Sequence, residues 1–379
     1  MSFSTTDEKK RSRGEGREGG QRHIGCITES FGHKAARAQQ LLSFFSLLVR
    51  METLEEVELC FPQFLNASCK KTKHSHFEVI LSYIILSSIT VLTITLNLIV
   101  IISISHFKQL HTPTNLLLFS LAVSDFFVGL LMFFQIMLID GCWFLGDLVC
   151  VLYYVLDYII TSTSVGTMVL ISVDRYIAIC DPLHYSTRVT QKRIQVCVSL
   201  CWICSILFQC MVLKDNLEEP GRYISCSGEC VVVSNYIAGF VDLALSFIGP
   251  VIVIIVLYIR VFVVAVSQAR AMRSHIVAVT IQGSVSVTAK KSEMKAARTL
   301  GVVIVVFLIC LCPYYCVALT NQDNLLNASS DAFVMCLFYF NSCLNPIIYA
   351  FFYPWFRKCL KLIVTLQILQ PDSCEANIL

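Results

Sequence analysis

Three charged residues set in an almost wholly apolar stretch, Cys150 to Tyr176, suggest the chemistry this chain could do. Asp157 stands in the first half of the stretch and the pair Asp174-Arg175 near its end; ionisable groups are costly in hydrocarbon, so their presence there points to function. Asp157 and Arg175 are 18 residues apart, five turns of a helix, which puts them on one face about 27 Å apart. A bilayer core is roughly 30 Å thick, so a single helix would carry an anion toward one membrane surface and a cation at the other. Thr161, Ser162, Thr163 and Ser164 fill the interval with small polar groups. One end could bind a cation and the other could report it.

Further polar residues stand alone in apolar surroundings. Asn97, Asp125, Ser164, Asn341, Ser342 and Asn345 belong to four separate runs. Converging at mid-membrane, they would suit a small hard cation such as sodium, a water network, or hydrogen bonds that join helices. A further acid, Asp242, lies eight residues before Pro250, and counting back along a helix puts it at the depth of Asp157. Two acids facing one apolar, aromatic-walled cavity repel each other and are poorly solvated. A flexible ligand with an ammonium at each end of a short alkyl chain would neutralise both, its methylenes lying against Tyr158, Tyr314 and Tyr315.

The elements that must hold these groups are long and apolar. Hydrophobic residues make up 56% of the 379 and charged residues 15%, against about 25% in soluble domains, so lipid solvates most of the chain. Seven runs poor in charge read as spanning helices: 78–105, 114–139, 148–174, 195–213, 233–266, 299–320 and 332–353. Pro250, Pro313 and Pro346 interrupt the last three, and each permits a kink. Loops after the first, third and fifth runs carry Lys108, then Arg188, Lys192 and Arg193, then Arg270, Arg273, Lys290, Lys291, Lys295 and Arg298. The alternate loops hold only Lys214 and Arg222, which predicts an outside N-terminus and an inside C-terminus.

The fold class expected is an all-α membrane protein, a seven-helix bundle over residues 77–353 with a short amphipathic helix after it. Residues 1–76 form an extracellular segment and 354–379 a cytoplasmic tail. Residues 1–50 are basic and Gly-containing, a composition too poor in apolar surface to order itself, and Met51 opens an acidic segment that an alternative start would explain. Asn66-Ala67-Ser68 is a glycosylation sequon on the predicted outer side. The segment from Pro354 to Ile363 alternates aromatic, basic and apolar residues like a helix along the inner interface, with Cys359 a candidate for palmitoylation or an unmodified cysteine. The 19 cysteines include no zinc-module spacing, and His74, His76, His106, His111 and His184 sit at no ligand spacing, so neither a metal site nor an enzyme is expected. A transporter would show internal repeats, and none is evident.

Several motifs in order carry a resemblance. Asp174-Arg175-Tyr176 closing the third run, Asn345-Pro346-Ile347-Ile348-Tyr349 in the seventh, Leu121-Ala122-Val123-Ser124-Asp125 in the second and Trp202 in the fourth together resemble the rhodopsin-like G-protein-coupled receptors, over about residues 75–365. Asn341-Ser342-Cys343-Leu344-Asn345-Pro346, continued by Tyr349 and the segment Phe351 to Phe356, resembles the trace amine-associated receptors, which detect volatile amines. The pairing of Asp157 with Asp242 is similar to the fish diamine-sensing branch of that family.

The resemblance implies roles. Asp157, seven residues after Cys150, falls where aminergic receptors place the carboxylate that pairs with a ligand ammonium, and Tyr314, Tyr315 and Tyr339 would wall the amine. Cys150 would bridge to the loop between the fourth and fifth helices, where Cys230 fits better than Cys226; Cys226 is then free for Cys60 or Cys69. Arg175 would lock to Asp174 at rest and meet a heterotrimeric G protein, of the cyclic-AMP-raising type, after the sixth helix swings outward; Tyr176 and Tyr349 belong to the same coupling end. Asp125, Ser164, Asn341 and Asn345 would form a site for an allosteric sodium ion, with no other cofactor and no nucleic-acid partner. Leu311 and Cys336 stand where the family usually has tryptophans, and Leu96 where glycine is usual. These departures put the coupling of binding to helix motion in question more than binding itself. A monoamine receptor of the serotonin or catecholamine type and a weakly signalling receptor are the competing expectations.

Overall fold

In hydrocarbon a chain must close its own backbone hydrogen bonds, and each apolar run does so as a helix. The computed structural model describes residues 58–64, 66–71, 76–139, 141–278, 301–317, 328–370, 373–375 and 377–378. Expectations for residues 1–50, the choice between Met1 and Met51, and most of the basic loop before the sixth helix fall outside these. The helices are α1 (His76–His106), α2 (Pro113–Met137), α3 (Asp147–Cys180) and α4 (Gln191–Val212). Then follow α5, running from Tyr236 to Ala278, α6 (Gly301–Val317), α7 (Ala328–Phe352) and α8 (Pro354–Val364). All but α6 and α8 are long and apolar enough to cross a membrane; α6 is a shorter apolar helix within the described residues. Together α1 to α7 form a seven-helix bundle.

Starts are set by local chemistry. Thr112 accepts a hydrogen bond from the Asn115 amide at 3.2 Å with Pro113 following, Thr190 accepts from Arg193, and Asn235 accepts from Ala238 at 2.7 Å. Each satisfies one of the donors a helix leaves open at its first turn. Val100, Leu117, Leu118, Met168 and Phe307 are fully buried at the bundle centre, whereas Ile84, Phe133, Leu207 and Phe262 present apolar surface outward, as lipid contact requires. α3 is the central element, packed against α2, α4 and α5.

The boundaries differ from the apolar runs where polar groups find partners. α3 continues six residues past 174, to Cys180, because Asp174 and Arg175 satisfy each other and are buried within the bundle. α5 is not broken at its proline. Pro250 has no N–H to donate to the preceding turn, and the helix answers by widening to a π turn over Ala244–Ile248, between Tyr236–Leu243 and Gly249–Ala278. α7 runs through Pro346 without interruption.

α8 buries Trp355, Phe356 and Cys359. Cys359 is 0% exposed, so its thiol faces the protein and not the bilayer, which contradicts the lipidation expectation in this conformation. Described residues of the tail fold back on the turn between α1 and α2. Ile378 is buried and donates its amide to Gln109 Oε1 at 3.1 Å, and Glu375 pairs with Lys108 at 3.0 Å.

Candidate functional site

A cavity of about 430 Å³ opens among α3, α4, α5, α6 and α7 toward the end of the bundle that carries the disulfides. Asp157 and Asp242 both line it. Their surroundings differ. Asp157 makes no hydrogen bond or ion pair among the described residues; around it are the rings of Tyr158 and Tyr314, and the hydroxyls of Thr161 and Ser162 lie one turn further on the same wall. Asp242 has one oxygen occupied: Oδ1 accepts from Gln209 Nε2 at 2.8 Å and from Ser246 Oγ at 2.8 Å. The amide also donates to Ser246 Oγ at 3.1 Å, which closes a triangle linking α4 to α5. The π turn includes Ser246, so the widened turn is part of how Asp242 is held.

The far wall is aromatic. Tyr315 stacks on Phe247 with centroids 3.7 Å apart and planes at 14°, and Tyr314 meets Tyr315 edge-on at 5.3 Å. Phe338 completes it, 4.8 Å from Tyr314. Tyr339 is one residue further along α7 and does not line the cavity. It is buried, its hydroxyl 3.5 Å from Gln135 Oε1, which also accepts from Tyr153 at 2.8 Å. An aromatic wall over two anions attracts cations and excludes water. Leu311, where a tryptophan was noted as usual, is buried beneath this wall in the same apolar cluster as Phe247.

Three disulfides shape the mouth. Cys150, at the top of α3, bonds to Cys230; Cys69 bonds to Cys226; Cys60 bonds to Cys142. The resemblance leaves Cys226 open between Cys60 and Cys69; the structure gives it to Cys69 and pairs Cys60 with Cys142. Gly228, between the two bridged loop cysteines, has φ +103°, and a Cβ there would come within 2.9 Å of Cys60 Cβ. The knot therefore needs glycine at that position. Its carbonyl accepts from the Trp143 amide at 2.8 Å. Glu229 beside it accepts from the Ser225 hydroxyl at 2.6 Å and amide at 2.7 Å, contacts that hold its carboxyl below the usual range. Asn66 is exposed in the turn between Cys60 and Cys69.

Two pairs of the mid-bundle polar residues meet across helices. Asn345 donates to Asp125 Oδ2 at 2.8 Å, and Asn97 donates to the Ser342 carbonyl at 3.0 Å. Ser164 bonds to Ser124 at 2.8 Å, making no hydrogen bond with Asp125. Asp125 Oδ1, Asn341 Oδ1 and Asn345 Oδ1 are buried with no partner among the described residues. A carboxylate and two amide oxygens left open form a donor set that fits a hard cation such as sodium.

At the opposite end of α3, Arg175 Nε donates to Asp174 Oδ2 at 3.0 Å and Nη2 donates to Thr114 Oγ1 at 2.8 Å. Tyr185, in a one-turn helix after α3, donates to Asp174 Oδ1 at 2.9 Å. Tyr349 is buried with its hydroxyl unpartnered among the described residues, and Tyr176 is exposed on the helix surface. Thr114, Tyr185, Gln209, Ser246 and Phe338 were not among the residues picked from the sequence. Gln209 carries a usable signal, as the amide in the interior of the fourth apolar run, whose other amide, Gln195, stands at its edge.

A seven-helix membrane bundle with a closed ion pair at one end and an anionic, aromatic-walled cavity toward the other is the architecture of a receptor, and residues 96–349 match the family 7 transmembrane receptor (rhodopsin family). Among curated relatives, Trace amine-associated receptor 13c of Danio rerio is 40% identical over 338 residues, covering 85% of this chain and 96% of that protein. Trace amine-associated receptor 4 of Mus musculus is 36% identical over 334 residues (85% and 96%), and Trace amine-associated receptor 6 of Pan troglodytes 38% over 336 (86% and 96%). The chain belongs to the trace amine-associated receptors of the rhodopsin family. It is a multi-pass membrane receptor and not an enzyme, with an amine-type small molecule and a G protein as its partners.

Proposed function

We propose that this receptor recognises diamines, short flexible molecules such as cadaverine or putrescine with an ammonium at each end, through Asp157 and Asp242. The observation that carries the reading is the presence of two carboxylates on one cavity wall, with no lysine or arginine among the described lining residues. Asp157 has no hydrogen-bond or ion-pair partner among the described residues, so one ammonium supplies its counter-charge. Asp242 keeps one oxygen for a second ammonium, because Gln209 and Ser246 occupy only the other. Tyr158, Tyr314 and Tyr315 cover the methylenes between them. A monoamine would neutralise Asp157 and leave Asp242 buried beside an alkyl chain, which is unfavourable.

Signalling on this reading runs from the cavity to the far end of α3. The N-terminus and the disulfides face outward at the plasma membrane, as the excess of Lys and Arg on the opposite loops supports. Arg175, held by Asp174 and Thr114 at rest, is released to a cyclic-AMP-raising G protein, with Tyr176 and Tyr349 at the same end. Asp125, Asn341 and Asn345 would hold a sodium ion at mid-bundle, neutralising the buried carboxylate; Ser164 lies beside them through Ser124.

The test is Asp242→Ala. Diamine potency is expected to fall about tenfold or more while responses to hydrophobic monoamines are kept or rise, since a charge-assisted contact contributes about 1.5–3 kcal/mol. An unchanged diamine-to-monoamine preference in dose-response curves would remove the diamine reading.

A further inference from the structure

Gln209 is almost fully buried, 1% exposed, on a stretch of α4 otherwise apolar or weakly polar. Its amide is oriented by its neighbour: Nε2 donates to the Asp242 carboxylate, and Oε1 is left buried without a partner among the described residues. For packing alone, a methionine or leucine of similar size would serve without an orphaned oxygen. The one polar task visible for Gln209 is the double donation to Asp242 and Ser246. Ser246 can donate only one proton, and it too goes to Asp242 Oδ1. The two donors therefore fix the same oxygen from two helices, and the carboxylate cannot rotate that oxygen toward the cavity without breaking both bonds.

We propose that Gln209 is the positioning residue that sets the receptor's preference for a doubly charged ligand: by holding Asp242 Oδ1 from α4, it keeps the carboxylate fixed with its second oxygen available to the distal ammonium. This rests on the diamine reading of the site. Gln209 also lines the cavity, but its two amide protons go to Asp242 and Ser246 and its Oε1 is buried, so it acts on the distal ammonium through Asp242; Asp157 has no such support among the described residues. The distance between the two anions is then set by the anchoring of α5 to α4, so the preferred diamine length depends on Gln209 as well.

The experiment compares 1,5-diaminopentane with pentylamine, a probe pair differing by one ammonium, in cells expressing the full chain, with surface level measured in parallel. Gln209→Met is expected to lower diamine potency about tenfold, leave pentylamine potency within about twofold, and broaden the preference among diamines of four to seven carbons. Gln209→Asn, which keeps an amide but withdraws it by one methylene, is expected to shift the ratio the same way; because both probes act on the same cells, a reduced surface level cancels in the ratio. In an Asp242→Ala background Gln209→Met should change nothing further, as expected for two residues acting as one unit. If Asp242→Ala lowers the diamine-to-monoamine ratio while neither Gln209 variant does, Gln209 has only a packing role and the proposal is overturned with the diamine reading intact. If Asp242→Ala leaves the ratio unchanged, the diamine reading fails first and this inference with it.

Discussion

Replacing Asp157 with alanine is expected to abolish the response to every amine agonist. Asp157 is the carboxylate in the cavity that the protein leaves without a hydrogen bond or ion pair among the described residues, so a bound ammonium gains an unshared counter-charge there. A charge-assisted contact contributes about 1.5–3 kcal/mol, a loss of roughly ten- to hundredfold, and a cation moved into an aromatic-walled cavity with no anion also keeps its desolvation cost. The total places the mutant beyond usable agonist concentrations. Asp157→Asn, which keeps the shape and removes the charge, should be nearly as inactive. Normal surface staining with an unshifted dose-response curve for either variant would end the aminergic account of the cavity.

The second large effect is expected at the mouth. Cys150→Ala should hold the protein inside the cell, because the bridge to Cys230 joins the top of α3 to the loop that precedes α5. The Cys69–Cys226 bridge and the Trp143–Gly228 hydrogen bond hold the earlier part of that loop, but around Cys230 and on toward α5 the described residues make few contacts. Asn216 exchanges two hydrogen bonds with Val233, and Tyr154 donates to the Cys230 carbonyl at a long 3.4 Å. Beyond Cys230 the chain reaches Ser234 and Asn235, which line the cavity, so releasing the bridge loosens the rim of the site as well as the fold. Removing such a bridge costs about 2–5 kcal/mol, comparable to the whole stability margin of a marginal protein. Flow cytometry decides it: surface levels equal to wild type would mean that the remaining two bridges suffice.

The seven spans were legible because hydrocarbon imposes its own length and composition on a helix. The depth of Asp157 follows from counting a straight helix, whereas Asp242 lines the same cavity although a π turn lies between it and Pro250. The limits came where partners, not periodicity, decide. α3 runs on to Cys180 because Asp174 finds Arg175, Thr114 and Tyr185, two of which come from outside the helix. On α7 the expectation fell on Tyr339 and the cavity meets Phe338: neighbouring residues of a helix point about 100° apart, and rotation about the axis is set by packing that no local pattern records. Ser164 was grouped with Asp125 by depth, yet its hydroxyl goes to Ser124. Cys142 was passed over because disulfide pairing depends on how loops return in space. Gln209 was missed for a related reason, since an isolated amide declares that it has a partner without saying which helix supplies it.

The most direct test of the account is ligand-dependent cyclic-AMP accumulation in cells expressing the unmodified receptor, with 1,5-diaminopentane, pentylamine and 5-aminopentanol titrated side by side. The three share a five-carbon chain and differ at the end facing Asp242, which receives an ammonium, a methyl or a hydroxyl. The account predicts a saturable rise with the diamine at concentrations at least about tenfold below those needed for the other two. A receptor that responds to pentylamine as well as or better than to the diamine, or that raises cyclic AMP with none of the three while standing at the cell surface, would contradict it.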